Sequence, residues 1–171
     1  MELKLVLPTK KYFNQIEAYK KEMIENNSSM DGCGSLRNDS IKEWLKKSKD
    51  HKQGKNLPSG YVRATQYICI RKSDDKLIGM LQIRHELNDY LFNYGGHIGD
   101  SILPSQRNKG YGKKILSLGI EKCKKMGIDR VLILCKETNI ASRKCILANG
   151  GVFENYSIND DGIKLERYWV E

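Results

Sequence analysis

The segment from Gly99 to Gly112, GDSILPSQRNKGYG, joins a short apolar run to a basic turn that contains two glycines. Proline has no N–H to give to a strand ladder, so Pro104 ends the predicted strand. The helical pattern of residues 113–126 follows at once, so the turn opens a helix. Unpaired N–H groups and the positive end of the helix dipole favour anions there. Residues 107–112 are therefore predicted to hold a phosphate group, and their glycines let backbone amides approach it closely.

The hexapeptide RNKGYG at residues 107–112 resembles the Arg/Gln-x-x-Gly-x-Gly/Ala signature of the GNAT superfamily of acyl-CoA N-acyltransferases. An apolar strand pattern follows, and then Asn139-x-x-Ser142, which is similar to the next helix opening of that family. The resemblance covers about residues 64–153 in the family's order. It implies that acetyl-CoA is the cosubstrate and that backbone amides of the turn hold its pyrophosphate. The implied cofactor-binding residues are Ser101, Ile102, Arg107, Asn108, Lys109, Gly110, Tyr111, Gly112, Lys113, Asn139 and Ser142.

In that family two central strands separate and pantetheine lies between them like a missing strand. The resemblance implies that backbone groups of Ser101 and Ile102 pair with the pantetheine amides. One nearby N–H would polarise the thioester carbonyl as its oxygen gains charge. The implied reaction is direct transfer of an acetyl group to a primary amine in a ternary complex, with no side-chain nucleophile.

Direct attack needs a neutral amine, and an alkyl amine near pKa 10 is mostly protonated at pH 7. A carboxylate or histidine within one water of the amine can take the proton. Asp100 is favoured as this base because it lies two residues before Ile102, where the thioester is expected; a solvated strand-end carboxylate is the alternative. His85 and Glu86, at the end of the third predicted strand, are further candidates.

Two more residues complete the set of possible bases, Asp31 in an early loop and His97 on the strand before the turn. Strand alternation puts His97 on the opposite face from Asp100, so the two cannot share a pocket without a bulge. Histidines at such positions are more often hydrogen-bonded structural residues than bases, although their usual pKa suits the task.

The family resemblance leaves protonation of the leaving thiolate open. Many members use a tyrosine seven residues after the helix-opening asparagine, and counting from Asn139 this position is Ile146. Either another group, such as Tyr156 or a water, protonates the sulfur, or this help is absent. The neighbouring Cys145 is expected to point elsewhere on its helix.

The formal charge of +9 attracts anions, and both coenzyme A and nucleic acid are candidates. The excess lysines fall on faces that look solvated, without the basic–aromatic pattern of nucleic-acid binders, so nucleic acid is an unlikely partner. Five cysteines without a C-x-x-C pair predict neither a disulfide framework nor a metal site. No run approaches the roughly 18 apolar residues of a membrane span, and the start lacks a signal peptide's core. A cytoplasmic protein without a membrane partner is expected, and exposed sheet edges allow an oligomer.

Hydrophobic periodicity predicts the element order β-α-α-β-β-β-α-β-α-β-β. The fold class is α/β, a single GNAT-like domain over residues 1–171 with a mixed, mostly antiparallel sheet and helices on both faces. Residues 1–63 would shape the acceptor side, and residues 64–171 would form the sheet core with the coenzyme A site. The acceptor is expected to be a small-molecule or peptide amine. Two alternatives stay open, a coenzyme A-binding module without catalysis and, less favoured, a basic nucleic-acid-binding domain.

Overall fold

The computed structural model describes residues 2–171 and contains the helices and strands in the predicted order. The strands are β1 (Leu3–Val6), β2 (Ala64–Arg71), β3 (Lys76–Arg84), β4 (Ile98–Ile102), β5 (Val131–Lys136), β6 (Val152–Ile158) and β7 (Lys164–Val170). The helices are α1 (Phe13–Glu25), α2 (Ile41–Lys52), α3 (Tyr111–Lys125) and α4 (Ile140–Ala148).

The strands form two antiparallel sheets, with the orders β1-β2-β3-β4 and β5-β7-β6. Strands β4 and β5 border each other, but only an isolated bridge between Gly96 and Ile133 joins the sheets. The mixed α/β class is confirmed. The two sheets meet at one point and then separate, as the family resemblance implies for the two central strands.

Helices cover both faces because the strands are apolar on both sides. On one face, α3 and α4 bury residues such as Ile115 and Ile146 against Leu81 of β3. On the other face, α1 and α2 bury Tyr19 and Trp44 in a second apolar cluster. The buried residues of α1, Ile16, Tyr19 and Met23, recur at spacings of three and four, so one side of the helix faces this cluster.

Strand β4 is shorter than the predicted run of residues 97–103. The N–H of His97 donates to the carbonyl of Leu132 at 2.8 Å, so His97 belongs to the junction between the sheets. At the other end, Pro104 begins a short 3₁₀ turn. The sheet junction and the proline together limit β4 to Ile98–Ile102.

Candidate functional site

A free backbone edge on β4 faces the gap between the two sheets. The N–H of Arg84 donates to His97 at 2.8 Å, and the N–H of Leu103 donates to Ile78 at 2.9 Å. Antiparallel hydrogen bonding alternates along a strand, so the odd-numbered residues of β4 bond to β3. The N–H and C=O groups of the even-numbered residues therefore point towards the gap.

This alternation changes the assignment of the backbone groups that were expected to meet pantetheine. Ser101 lies opposite Met80 in the β3–β4 register, so its N–H and C=O point to β3. The groups at the free edge belong to Asp100 and Ile102 instead. Ile102 agrees with the expectation, whereas the partner one residue away is Asp100 rather than Ser101.

The side chain of Ser101 lies on the opposite face, towards α1. Its hydroxyl is 2.8 Å from the Tyr19 hydroxyl and 3.4 Å from the Cys33 thiol. Burial raises the pKa of Tyr19 well above its usual value and that of Cys33 to about 12, so both stay protonated near pH 7. Ser101 thus anchors β4 to α1 and to the loop of residues 27–39, called here the Gly32 loop.

The turn of residues 107–112, called here the phosphate turn, leads directly into α3. Gly110 is the N-cap of α3 with a φ of +81°, and no side chain caps the helix. A Cβ at Gly110 would have nothing within 4 Å, so the turn opens to solvent. The first turn of α3 holds no acidic residue, and Lys113 is exposed there. Uncapped N–H groups beside positive charge form an anion site.

The side chains of the phosphate turn mostly support its shape. The guanidinium of Arg107 donates from Nε to the Ile102 carbonyl at 3.0 Å and from Nη2 to the Ser28 hydroxyl at 2.9 Å. Asn108 adopts a left-handed φ of +61°. Lys109 reaches back along the turn to the Ser105 carbonyl at 3.3 Å. The backbone amides are thus left as the groups that face outward.

Tyr111 and Gly112 fix the start of α3 against the rest of the molecule. The Tyr111 ring is buried, and its hydroxyl accepts a hydrogen bond from Arg71 at 2.8 Å. A Cβ at Gly112 would lie 3.2 Å from the Cys145 sulfur, so α4 packs closely there. Cys145 points in a different direction from its buried neighbour Ile146, as expected, and its thiol lies at the phosphate turn.

Asp100 lies on β4 with a half-buried side chain that faces the α3–α4 layer. No side chain within residues 2–171 donates a hydrogen bond to its carboxyl group. Burial, and then the charge of Asp31, raise the pKa of Asp100 to about 7. A carboxyl with this pKa can gain and lose a proton near neutral pH, as a general base must.

The Gly32 loop brings Asp31 to this carboxyl. A Cβ at Gly32 would lie 2.2 Å from the Gly99 carbonyl oxygen, so the two backbones are in direct contact. The carbonyl of Gly32 accepts a hydrogen bond from Gln66 at 2.7 Å, which holds the loop from below. The Asp31 carboxylate accepts a hydrogen bond from Ser29 at 2.8 Å. Two acidic residues that are far apart in sequence therefore interact through their charges at the edge of β4.

A model of the acetyltransferase (GNAT) family matches residues 34–150, which is more than half of the chain. The chain belongs to the GNAT acetyltransferase family. It is therefore an acyl-CoA-dependent N-acyltransferase. No curated protein is a significant match to it.

Solved structures of acetyltransferases share the fold of this GNAT protein. A microcin self-immunity acetyltransferase in complex with acetyl-CoA and AMP is 17% identical, with a TM-score of 0.72 and coverage of 99% of this chain and 92% of that one. An acetyltransferase from Salmonella typhimurium that modifies the N-terminal serine of a ribosomal protein is 16% identical, with a TM-score of 0.68 and coverage of 98% and 94%. A GNAT acetyltransferase from Bacillus anthracis is 16% identical, with a TM-score of 0.66 and coverage of 99% and 95%.

The other candidate bases of this GNAT protein lie away from Asp100. His85 follows β3, and its Nε2 is 2.6 Å from the Thr65 hydroxyl. Burial, and then Arg63, lower its pKa. At ~3.3 Å per residue, His85 is about 13 Å along β3 from Leu81, the residue opposite Asp100. Glu86 is exposed in the loop beyond it.

His97 serves the junction between the sheets of this GNAT fold. Its Nδ1 accepts a hydrogen bond from the N–H of Leu132 at 2.9 Å. Burial, and then Arg84, lower its pKa to about 4, so the ring is neutral near pH 7. This geometry fits the structural role that its position in the strand favours.

The helix opening at Asn139 is a true cap. The Asn139 side chain accepts a hydrogen bond from the N–H of Ser142 at 3.1 Å. At the other end of α4, Asn149 donates to the carbonyl of Lys113 at 3.1 Å. Cys145 contacts the phosphate turn through Gly112, and at ~1.5 Å per residue Ser142 lies about 5 Å and Asn139 about 9 Å from it along α4.

No side-chain acid for the leaving thiolate stands at the position of the family's tyrosine, and the alternative Tyr156 is distant from the gap. Ile146 is fully buried in the core beneath α4. Tyr156 lies on β6, and in the order β5-β7-β6 this strand is two places from β5 and three from β4. Three strand spacings are about 14 Å, so Tyr156 is remote from the gap.

None of the helices within residues 2–171 combines the length and apolarity that a bilayer-spanning helix needs. In the same range, no three His, Cys, Asp or Glu side chains are grouped so that they could hold a metal ion.

Proposed function

We propose that this GNAT protein transfers an acetyl group from acetyl-CoA to a primary amine by direct attack in a ternary complex. The observation that carries the proposal is the free backbone edge of β4, which runs from the half-buried Asp100 to the open phosphate turn. A cofactor with a phosphate end and a chain of amides matches this sequence of groups. The shared fold with an acetyltransferase bound to acetyl-CoA supports the same cosubstrate.

The binding step uses mainly backbone groups. The pyrophosphate binds the uncapped N–H groups at Gly110, Tyr111 and Gly112, with Lys113 beside them. The pantetheine amides pair with the free N–H and C=O groups of Asp100 and with the N–H of Ile102, whose C=O already accepts from Arg107. Asn139 and Ser142 contact the cofactor only where it reaches the start of α4.

The chemical step uses the Asp100 carboxylate as general base. It takes a proton from the ammonium group of the acceptor, directly or through one water, and so frees the nitrogen lone pair. The nitrogen attacks the thioester carbon, the C–N bond forms, and an N–H at the edge of β4 stabilises the oxyanion. The C–S bond then breaks, the thiolate leaves, and the second proton of the nitrogen passes to the thiolate or to water, so that a neutral amide forms. A thiol pKa near 8.5 makes this leaving group stable without a dedicated acid.

The acceptor amine enters beside the Gly32 loop, where Asp31 adds negative charge that attracts a cationic amine. Proteins of this fold act on large and on small acceptors. One solved structure is that of an enzyme that modifies the N-terminal serine of a ribosomal protein, and another includes a spermidine N-acetyltransferase. A screen should therefore contain peptides with free N-termini as well as polyamines and other small alkyl amines.

Calorimetric titration with acetyl-CoA tests the cofactor site first. Gly110→Trp should place a large side chain where the pyrophosphate binds and weaken binding at least 100-fold. Gly127→Trp is the matched control, because Gly127 follows the other end of α3 with a φ of +85° and has the same open surroundings. Unchanged binding in Gly110→Trp, or equal loss in both variants, would reject the site.

Mass spectrometry of the amine screen then tests the reaction. The expected result is an acetylated amine whose formation requires both acetyl-CoA and the native Gly110. Saturable acetyl-CoA binding without any acetylated product would favour the alternative of a binding module without catalysis.

A further inference from the structure

One arginine differs from the other arginines of the protein in what its guanidinium contacts. Four arginines are half-buried or buried. Three of them each bond a carboxylate: Arg71 bonds Asp74 at 2.6 Å, Arg143 bonds Glu166 at 2.7 Å and Arg167 bonds Glu154 at 2.6 Å. The fourth, Arg84 at the end of β3, has no carboxylate within ion-pair distance among residues 2–171. Charged groups that are shielded from water are normally paired, so Arg84 is a candidate for binding an anion from outside the chain.

The contacts of Arg84 use only part of its guanidinium. Its Nε donates to the side-chain oxygen of Gln82 at 3.2 Å, and its Nη1 donates to the carbonyl of Gly95 at 3.3 Å. A guanidinium has five N–H donors, arranged in a fork that matches the two oxygens of a carboxylate. Both N–H groups of Nη2 therefore have no partner within residues 2–171.

This end of the guanidinium is open to a ligand. In the described part of the chain, every side-chain N or O atom that is sealed from solvent has a hydrogen-bond partner. Since Nη2 of Arg84 has none, it is accessible. Burial nevertheless lowers the pKa of Arg84, so most of the group is shielded from water. An ion pair at such a place is screened less than one at the open surface and is therefore stronger.

Arg84 lies directly beside the candidate site. A Cβ on Gly99 would be 3.1 Å from Nη2 of Arg84 and 3.3 Å from its Nη1, so the guanidinium lies against the residue that precedes Asp100. The same Cβ position is 3.1 Å from the backbone nitrogen of Gly32. Nη2 and this nitrogen are therefore at most twice that distance apart. Arg84 thus lies beside the Gly32 loop, where the proposed acceptor enters.

Charges of both signs surround this position. The charge of Asp31 acts on Arg84 as well as on Asp100, and it opposes the lowering of the Arg84 pKa by burial. Asp31 itself is exposed beside Gly32. Two acidic residues that attract an ammonium group therefore lie next to one guanidinium that attracts an anion. A molecule that carries both an ammonium group and a carboxylate matches this arrangement.

We propose that the acceptor of this GNAT protein is a free amino acid, whose carboxylate binds Arg84 while Asp100 takes the proton of its ammonium group. This inference rests on the proposed function, because it names the acceptor of that reaction. Arg84 is then the residue that determines specificity, since it holds the group of the acceptor that does not react.

Other classes of acceptor match Arg84 less well. A polyamine carries only positive charge, which the guanidinium repels. In a peptide, the carboxylate at the C-terminus is separated from the amine at the N-terminus by the length of the chain. The neutral carbonyl groups between them form weaker hydrogen bonds to a guanidinium than a carboxylate does. A free amino acid joins the amine and the carboxylate within a few bonds.

Calorimetric titration of the full chain, alone and saturated with coenzyme A, tests the inference. The probes are glycine, β-alanine, γ-aminobutyrate and the common L-α-amino acids. Each probe is compared with its own amide, which keeps the amine and replaces the carboxylate by a neutral group. The native chain should bind at least one amino acid about 10-fold more tightly than its amide, because charge-assisted bidentate hydrogen bonds are lost with the carboxylate.

Three variants assign this preference to one side chain. Arg84→Gln should remove it, so that the amino acid and its amide bind with equal affinity. Arg84→Lys keeps the charge without the fork and should retain part of the preference. Arg63→Gln is the matched control, because Arg63 is an exposed arginine that donates only to the Lys52 carbonyl, and it should keep the native preference. Circular dichroism should show that all three variants are folded.

The native chain alone can overturn the inference, if it binds no amino acid more tightly than the corresponding amide. An undiminished preference in a folded Arg84→Gln variant would also overturn it. Mass spectrometry of products distinguishes these results from a failure of the proposed function. If polyamines are acetylated and no amino acid is, the proposed function stands and this acceptor class is wrong. If an amino acid binds through Arg84 but no acetylated product forms, the binding site stands and the proposed reaction is wrong.

Discussion

The two ends of the candidate site are built in different ways. The phosphate turn is local: residues 107–112 and the start of α3 form it from backbone amides. The acidic end is assembled from distant segments, because Asp31 reaches Asp100 only through the contact of Gly32 with Gly99. A local backbone site can bind with few side chains, whereas an acid–base site depends on neighbours that shift a pKa.

Asp100→Asn should have the largest effect on catalysis, because it removes the proposed base. Loss of a general base lowers kcat by roughly 10²–10⁴-fold. The dissociation constant for acetyl-CoA should change less than threefold, since the backbone at residue 100 remains. Steady-state assays with an amine found in the screen measure kcat, and calorimetry measures the dissociation constant for acetyl-CoA.

Asp129→Asn is the control for that prediction, as an exposed aspartate on the approach to β5. If the Asp100→Asn enzyme has the native kcat and pH profile, Asp100 is not the general base. The acidic end of the site would then have no separate catalytic role.

The free energies of unfolding of Gly32→Ala and Gly110→Ala should show the difference between the two ends of the site. Both glycines have positive φ, but a Cβ at Gly32 would meet the Gly99 backbone at 2.2 Å, whereas one at Gly110 would meet nothing within 4 Å. We expect Gly32→Ala to lower the free energy of unfolding by about 2–4 kcal/mol. Gly110→Ala should cost about 1 kcal/mol, from backbone conformation alone. Urea denaturation measures both, and equal losses would contradict the assembly of the acidic end by the Gly32 loop.

The raised pKa of Asp100 predicts a dependence of stability on pH. The carboxyl titrates near 3.8 when unfolded and near 7 when folded. Between these values the folded state holds more protons, so this group's contribution to stability falls as the pH rises from about 4 to about 7. Asp100→Asn removes this contribution, so the stability of the variant relative to the native protein should be about 3–4 kcal/mol higher at pH 8 than at pH 4. Denaturant titrations at the two pH values would show the difference, and a constant difference would contradict the raised pKa.

Asp31→Asn should have the smallest effect and acts on the same carboxyl. Without the charge of Asp31, the pKa of Asp100 falls, because a like charge opposes ionisation. The acid limb of the kcat/KM profile should therefore move to lower pH by about half a unit to one unit. Glu25→Gln, on the exposed end of α1, is the control that should leave the limb in place. If the acid limb stays near pH 7 in Asp31→Asn, the charge of Asp31 does not raise the pKa of Asp100.

Much of the architecture could be predicted because its signals are local. The stripe of Ile16, Tyr19 and Met23 specifies α1, and all three are buried in the structure. Gly110 and Gly112 mark the turn before α3 for the same reason. Strand β4 was predicted too long, because the loss of His97 to the sheet junction depends on Leu132, thirty-five residues away.

Details of the site were less accessible to sequence reasoning. Whether Ser101 or Asp100 presents its backbone to the gap depends on the register of β4 against β3, and a shift of one residue exchanges the two. Helix geometry separates the direction of Cys145 from that of Ile146, but only the packing of α4 on α3 brings the Cys145 thiol to the phosphate turn.

The amino-acid sequence by itself determined the order of the elements and the phosphate turn, because helix patterns, Pro104 and the two glycines act over a few residues. The tertiary structure decided which backbone groups are free and which carboxyls interact. Those properties arise from strand register and from contacts such as Gly32 on Gly99, which join segments that are far apart in the chain.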